Sequence, residues 1–167
     1  MRDVELITES PEATRILGAK LGQALLVAPR EQPIVIYLNG ELGAGKTTFV
    51  SGLLRAVGVN GPVRSPTYTL IEPYELPHIA VYHLDLYRLT EARDLDMLAL
   101  RDLLRPGSVL LVEWAERGGT ALPNPDLVLG LRYPDAGESQ IQQRTLTMSP
   151  HTIVGESLLN KLLASES

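Results

Sequence analysis

The stretch "PIVIYLNGELGAGKTTFV", residues 33 to 50, decides the fold. Ile34 to Leu38 form a short unbroken run of β-branched and apolar side chains, the pattern of a strand covered on both faces and central in its sheet. Gly40, Gly43 and Gly45 follow, with Lys46 and Thr47 directly behind them. Val50, Leu53, Leu54 and Val57 then recur on one side of a helix, and Gly58 stands where that helix should end. Strand, glycine-rich loop and helix succeed one another without a break.

Gly40 to Thr47 satisfies G-x-x-x-x-G-K-[ST] in the strand-to-helix context that the pattern requires. Glycines let successive backbone N–H groups converge on phosphate oxygens, while the helix behind them presents unpaired amides and the positive end of its dipole. The expected cradle is the amides of Gly43, Ala44, Gly45, Lys46, Thr47 and Thr48. Lys46 adds a mobile charge for the β and γ phosphates, and Thr47 a hydroxyl for Mg²⁺. A plain connecting turn needs neither the lysine nor the hydroxyl at these positions.

Outward from this loop, Ser10-Pro11-Glu12 reads as a helix start, with Ala13, Leu17, Leu21, Ala24 and Ala28 repeating at helical spacing up to Pro29. "TYTLIEPY" (67 to 74) and "IAVYHLD" (79 to 85) read as two strands able to form a hairpin. "EARDLDMLALRDLLR" (91 to 105) reads as a helix closed by Pro106-Gly107, and "SVLLVE" (108 to 113) as another buried strand. Strands near 127 to 133 and 144 to 148 flank the turn-rich "PDAGES", and a short helix closes the chain. The 167 residues are expected to form one domain, burying roughly two-thirds of the unfolded surface. The architecture this predicts is a three-layer α/β P-loop NTPase domain with a mixed, mainly parallel sheet.

A P-loop requires an acid for Mg²⁺ or its water at the carboxyl end of a neighbouring buried strand. Asp85 ends one such strand and Glu113 another, so each is expected to project toward the same crevice. Spacing alone leaves open which is the metal acid and which orients water. His83 shares a strand face with Asp85 and is either a partner of the site or a hydrogen-bonded core histidine. Trp114, the sole tryptophan, is a packing anchor or part of a ligand surface. Ser65 and Thr67 open a loop placed to sense a γ-phosphate, unless the loop is merely stiffened by Pro66.

The chain contains no cysteine, which excludes thiolate catalysis, disulfides and cysteine-ligated metal. The opening "MRDVELITES" lacks an apolar core, and no apolar run approaches the ~20 residues of a membrane span. The expectation is a cytoplasmic protein with no membrane partner. Net charge is −5, and the basic residues are scattered, so neither DNA nor RNA is expected as a direct ligand.

"GELGAGKTT", "RSPTYTLIEPY", "YHLDLYRL" and "LLVEWAERG" before Leu122-Pro123, in this order and at these spacings, resemble the TsaE (YjeE) family of bacterial ATPases. The resemblance runs from about Ile34 to Pro123. It implies a role in forming N6-threonylcarbamoyladenosine in tRNAs that read ANN codons, alongside TsaB and TsaD, which bind and modify the tRNA. It further implies ATP and Mg²⁺ as ligands and a hydrolysis that is weak without the partners. Carried over, it makes Gly43 to Thr48 the nucleotide loop, gives Glu113 the Mg²⁺ site with Thr47, and gives Asp85 a catalytic or water-mediated metal role beside Lys46. Trp114 matches the tryptophan of the family's "EW" pair, and Ser65 to Thr67 its switch-like segment. Glu41 departs from the family's usual aspartate, outside the phosphate-contacting amides. An acidic chain also suits a component that binds protein instead of tRNA.

Other uses of the loop are a small-molecule kinase, a GTPase switch and a binding module with negligible turnover. A kinase needs an acceptor pocket and an arginine-bearing lid, and the inter-strand segments are short for both. With lysine only at 20, 46 and 161, no Asn-Lys-x-Asp guanine reader exists.

Overall fold

The computed structural model describes residues 1–91, 94–96, 99–134 and 142–164. Strand β2 (Ile34–Asn39) sits at the middle of a seven-stranded sheet of order β1-β7-β6-β2-β5-β4-β3. Its other strands are β1 (Val4–Thr8), β3 (Ile71–Glu75), β4 (Ala80–Asp85), β5 (Ser108–Glu113), β6 (Leu127–Arg132) and β7 (Arg144–Pro150). The four central strands β6, β2, β5 and β4 run parallel, while β1, β7 and β3 pair antiparallel outside them. Because β2 has later strands on both sides, the crevice beyond its carboxyl end is a topological switch point.

Period-two alternation sorts the strand residues between two cores. Ile34, Ile36 and Leu38 of β2, with Val109 and Leu111 of β5 and Val81 of β4, pack under helices α1 (Pro11–Leu26), α2 (Lys46–Val57) and α4 (Ile153–Ala164). Val35, Leu110, Val112, Tyr82 and Leu84 face the opposite way, onto Leu86, Leu89, Leu95, Leu100 and Leu122. Continuing the alternation places His83, Asp85 and Glu113 on the α2 face of the sheet.

Helix α1 begins as its sequence suggests: Pro11 occupies the first turn and the Ala13 N–H donates to Ser10 Oγ at 3.1 Å. It packs backbone-close against α2, since a Cβ at Gly18 would stand 2.0 Å from the Phe49 carbonyl oxygen and one at Gly52 2.0 Å from that of Arg15. Helix α2 closes at Gly58 in the left-handed conformation.

Two expectations need correction. β3 begins at Ile71, not Thr67: the Leu70 N–H donates to the Pro66 carbonyl at 2.8 Å and Leu70 takes φ 65°, so residues 66–70 turn before the chain extends. Among the described residues, the helix expected over 91 to 105 is a 3-10 turn at 94–96 and the four-residue α3 (Leu100–Leu103), because Ala99 between them adopts left-handed φ 49° and ψ 49° and breaks the helical path. Residues 92, 93, 97 and 98 of that stretch, and 135–139 of "PDAGES", lie outside the described residues. Strand β1, pairing with β7, has no counterpart in the sequence reading.

Candidate functional site

The loop leaves β2 at Asn39 and enters α2 at Lys46 through Gly45, whose φ of 103° is a conformation side chains rarely adopt. Among the described residues no side chain caps α2, so its first-turn amides are left for a ligand. Two residues brace the loop from behind. Tyr133 donates its hydroxyl to the Gly43 carbonyl at 3.0 Å, and Arg144 donates to the Ala44 carbonyl at 3.1 Å while its guanidinium lies 4.2 Å from the Tyr133 ring centroid. In a planar trans peptide the N–H points opposite to the C=O, so drawing the Ala44 carbonyl outward turns the Gly45 N–H inward.

Gly43, Gly45, Lys46, Thr47 and Thr48 line a crevice of about 210 Å³ that also receives Ser65, Thr67, Asp85, Glu113 and Trp114. Ala44 is the exception among the expected cradle residues. It is 1% exposed and does not line the crevice, and its N–H donates to the Glu41 carbonyl at 3.1 Å. Glu41 likewise stays out of the crevice. A further recess bordered by Pro11, Thr14, Gln142 and Arg144 lies against Gly43, Gly45 and Thr48.

Asp85 and Glu113 are register partners on adjacent parallel strands, and both are buried. Glu113 is held from two sides: His83 Nε2 stands 2.8 Å from Oε2, and Lys46 Nζ stands 3.5 Å from Oε1. Burial pushes the Glu113 carboxyl up, but the His83 hydrogen bond and the charges of His83 and Lys46 outweigh it and hold the group below the ordinary glutamate value. An ionised carboxylate only accepts, so His83 Nε2 is the donor. On Asp85, the Tyr87 N–H donates to Oδ1 at 3.0 Å and the Thr67 hydroxyl to Oδ2 at 3.2 Å. Having given its proton to Asp85, the Thr67 hydroxyl accepts from Ser65 Oγ at 2.7 Å.

Trp114 follows Glu113 in a left-handed conformation, φ 57°, that costs a non-glycine residue roughly 1–3 kcal/mol. Its ring is fixed by Tyr87, with ring centroids 5.0 Å apart, and lies 4.9 Å from Lys46 Nζ. Thus the structure brings Lys46, Thr47, Asp85, Glu113, Trp114, Ser65 and Thr67 to one crevice, with His83 directly behind Glu113. Sequence reasoning missed Tyr133 and Arg144, which act through side-chain reach across about 90 and 100 residues of chain and carry no local motif.

Among the described residues no group of three or more His, Asp or Glu encloses a metal ion unaided. The crevice offers a hydroxyl and two carboxylates beside free helix amides. That donor set fits Mg²⁺, which takes one or two protein oxygens and completes its shell with phosphate and water. No helix among the described residues is long and apolar enough to cross a membrane.

A family model described as "Threonylcarbamoyl adenosine biosynthesis protein TsaE" matches residues 8–144. The tRNA threonylcarbamoyladenosine biosynthesis protein TsaE of Haemophilus influenzae is 38% identical over 143 residues, covering 86% of this chain and 87% of that protein. The protein of the same name from Bacillus subtilis is 34% identical over 141 residues, covering 84% and 85%. The crystal structure of Bacillus subtilis YdiB superposes with a TM-score of 0.75 at 30% identity, across 99% of this chain and 97% of that one. The phosphate-type loop faces paired acids from β4 and β5, and these likenesses span most of the sequence: the chain belongs to the TsaE family.

Proposed function

We propose that this protein binds and hydrolyses Mg-ATP in the cytoplasm to drive or reset a TsaB–TsaD complex that forms N6-threonylcarbamoyladenosine in tRNAs reading ANN codons. The observation that carries the reading is the register pair Asp85 and Glu113, set opposite the first turn of α2 with Lys46 Nζ 3.5 Å from Glu113. The names of the Haemophilus influenzae and Bacillus subtilis relatives support the pathway. The acidic net charge supports a component that reaches tRNA through protein partners.

In this reading the amides of Gly43, Gly45, Lys46, Thr47 and Thr48 hold the phosphates, and the recess beside Thr14 and Arg144 receives the nucleoside. Lys46 exchanges its contact with Glu113 for the β and γ phosphates. Thr47 and Glu113 are the residues that would hold Mg²⁺, and the chemistry it would supply there is neutralisation of the negative charge that develops on the phosphoryl group. Asp85, aligned by Thr67 and the Tyr87 amide, orients the attacking water. Ser65 and Thr67 tie the 64–70 loop to that acid, so its position reports whether a γ-phosphate is present.

Phosphate release from Mg-ATP by the purified protein, alone and with TsaB and TsaD, tests the reading. Slow release that the pair accelerates is expected. Asp85→Ala should retain much of the nucleotide binding while release collapses. Strong transfer of radiolabelled phosphate to a metabolite without partners would instead establish a kinase.

A further inference from the structure

We propose that His83 is the positioning residue of the magnesium acid: its Nε2–H clamps one oxygen of Glu113 and so keeps the other turned toward the crevice when Lys46 leaves for the phosphates. The inference rests on the Mg-ATP reading above and adds to it a residue whose effect passes through Glu113.

His83 is 2% exposed and sits on β4 opposite Leu111, one pleat before the Asp85–Glu113 pair. Alternation turns it to the same face as both acids. From there Nε2 reaches Glu113 Oε2 at 2.8 Å, while Oε1 is left to Lys46 at 3.5 Å. The two contacts are unequal in purpose. Lys46 must release Glu113 to engage a triphosphate, whereas His83 is buried behind the acid and does not line the crevice. Once the ammonium departs, the imidazole is the contact on Glu113 that remains to stop the carboxylate from rotating.

A purely structural histidine would be expected to satisfy both ring nitrogens. Here Nδ1 is buried without a hydrogen-bond partner among the described residues, a condition that costs stability and that folded proteins seldom keep without a reason. The fold retains an imidazole with one useful nitrogen, and that nitrogen addresses Glu113. Hydrogen-bond partners behind metal-binding side chains are worth about 10–100-fold in metal affinity or activity when removed.

The test compares His83→Leu, His83→Asn and His83→Gln with the wild type, using the fluorescence of Trp114, the chain's sole tryptophan, which lies 4.9 Å from Lys46 Nζ. ADP is titrated in excess chelator and again across a range of Mg²⁺ concentrations. Glutamine places an amide N–H near the position of Nε2, whereas asparagine is too short to reach Glu113. Leucine and asparagine should raise the Mg²⁺ midpoint about 10–100-fold and leave metal-free ADP affinity within about twofold, and glutamine should restore the midpoint to within about threefold. If leucine prevents folding, the asparagine and glutamine pair decides. An unchanged Mg²⁺ midpoint in asparagine, or equal loss of metal-free ADP binding in every variant, overturns the proposal. Wild type that binds no nucleotide overturns the ATPase reading and this inference with it. Wild type that couples Mg²⁺ to ADP while the variants couple equally well overturns this inference alone.

Discussion

Replacing Gly52 by alanine probes the helix contact that sets the aim of α2. A Cβ at this position would lie 2.0 Å from the Arg15 carbonyl oxygen, whereas real contacts of this kind essentially never fall below 3.0 Å, so α1 and α2 have to part by about 1 Å. The obstacle is backbone, which cannot swing aside as a flexible side chain would. Overpacking costs about 1–3 kcal/mol, and this geometry belongs at the upper end. Alanine's better helix propensity returns about 1 kcal/mol. The net loss is therefore about 2 kcal/mol, or a Tm lower by about 4–8 °C for a domain of this size. Because Lys46 and Thr47 occupy the first turn of α2, the shift also displaces the phosphate site, where a misplacement of about 1 Å can cost about 100-fold in rate. Thermal and denaturant unfolding measure the first effect. Gly130→Ala serves as the control, since nothing lies within 4 Å of its added Cβ and its stability should stay within about 0.5 kcal/mol. A Gly52→Ala protein as stable as the wild type, or more so, refutes the packing argument.

Thr67→Val keeps the volume but removes the hydroxyl that joins Ser65 to Asp85, and should slow single-turnover ATP hydrolysis about tenfold with little change in nucleotide affinity. An unchanged rate would detach the 64–70 loop from catalysis. The Glu113 carboxyl, held below the 4.5 of an unperturbed glutamate, contributes stability that is complete above about pH 4.5 and is lost as the pH falls through its lowered folded value. The Tm of the wild type should therefore exceed that of Glu113→Gln at neutral pH, with the gap closing below about pH 4.5. A gap that persists undiminished at about pH 3 contradicts the ionised pair with Lys46 and His83.

The parts legible in the sequence are those whose cause is local. Ile34 to Leu38 form one apolar run, and the glycine pattern with Lys46 is contiguous, so the central strand, the loop and α2 could all be read directly. Asp85 and Glu113 were found because each ends an apolar run, and parallel pairing of β4 with β5 then sets them side by side. Elements decided by distant contacts were not visible. Strand β1 is a five-residue edge strand that carries Glu5 within it, and its pairing with β7 lies over a hundred residues away. The apolar spacing of Leu95 and Leu100 implied one helix, yet Ala99 turns left-handed between them, and the two side chains reach the second core without one helix joining them. Tyr133 and Arg144 were illegible for the same reason, as was the turn that joins the Ala44 amide to the Glu41 carbonyl, which depends on three-dimensional loop closure.

Titration calorimetry of Mg-ATP into the wild type and into Lys46→Ala addresses the central claim most directly, namely that loop amides and one buried ammonium grip a triphosphate whose magnesium the β4 and β5 acids manage. The wild type should show one binding event per chain that weakens in chelator, and Lys46→Ala should lose most of that affinity while melting as a folded protein. Equal heats from both proteins, or no uptake by the wild type even with TsaB and TsaD present, would contradict the account.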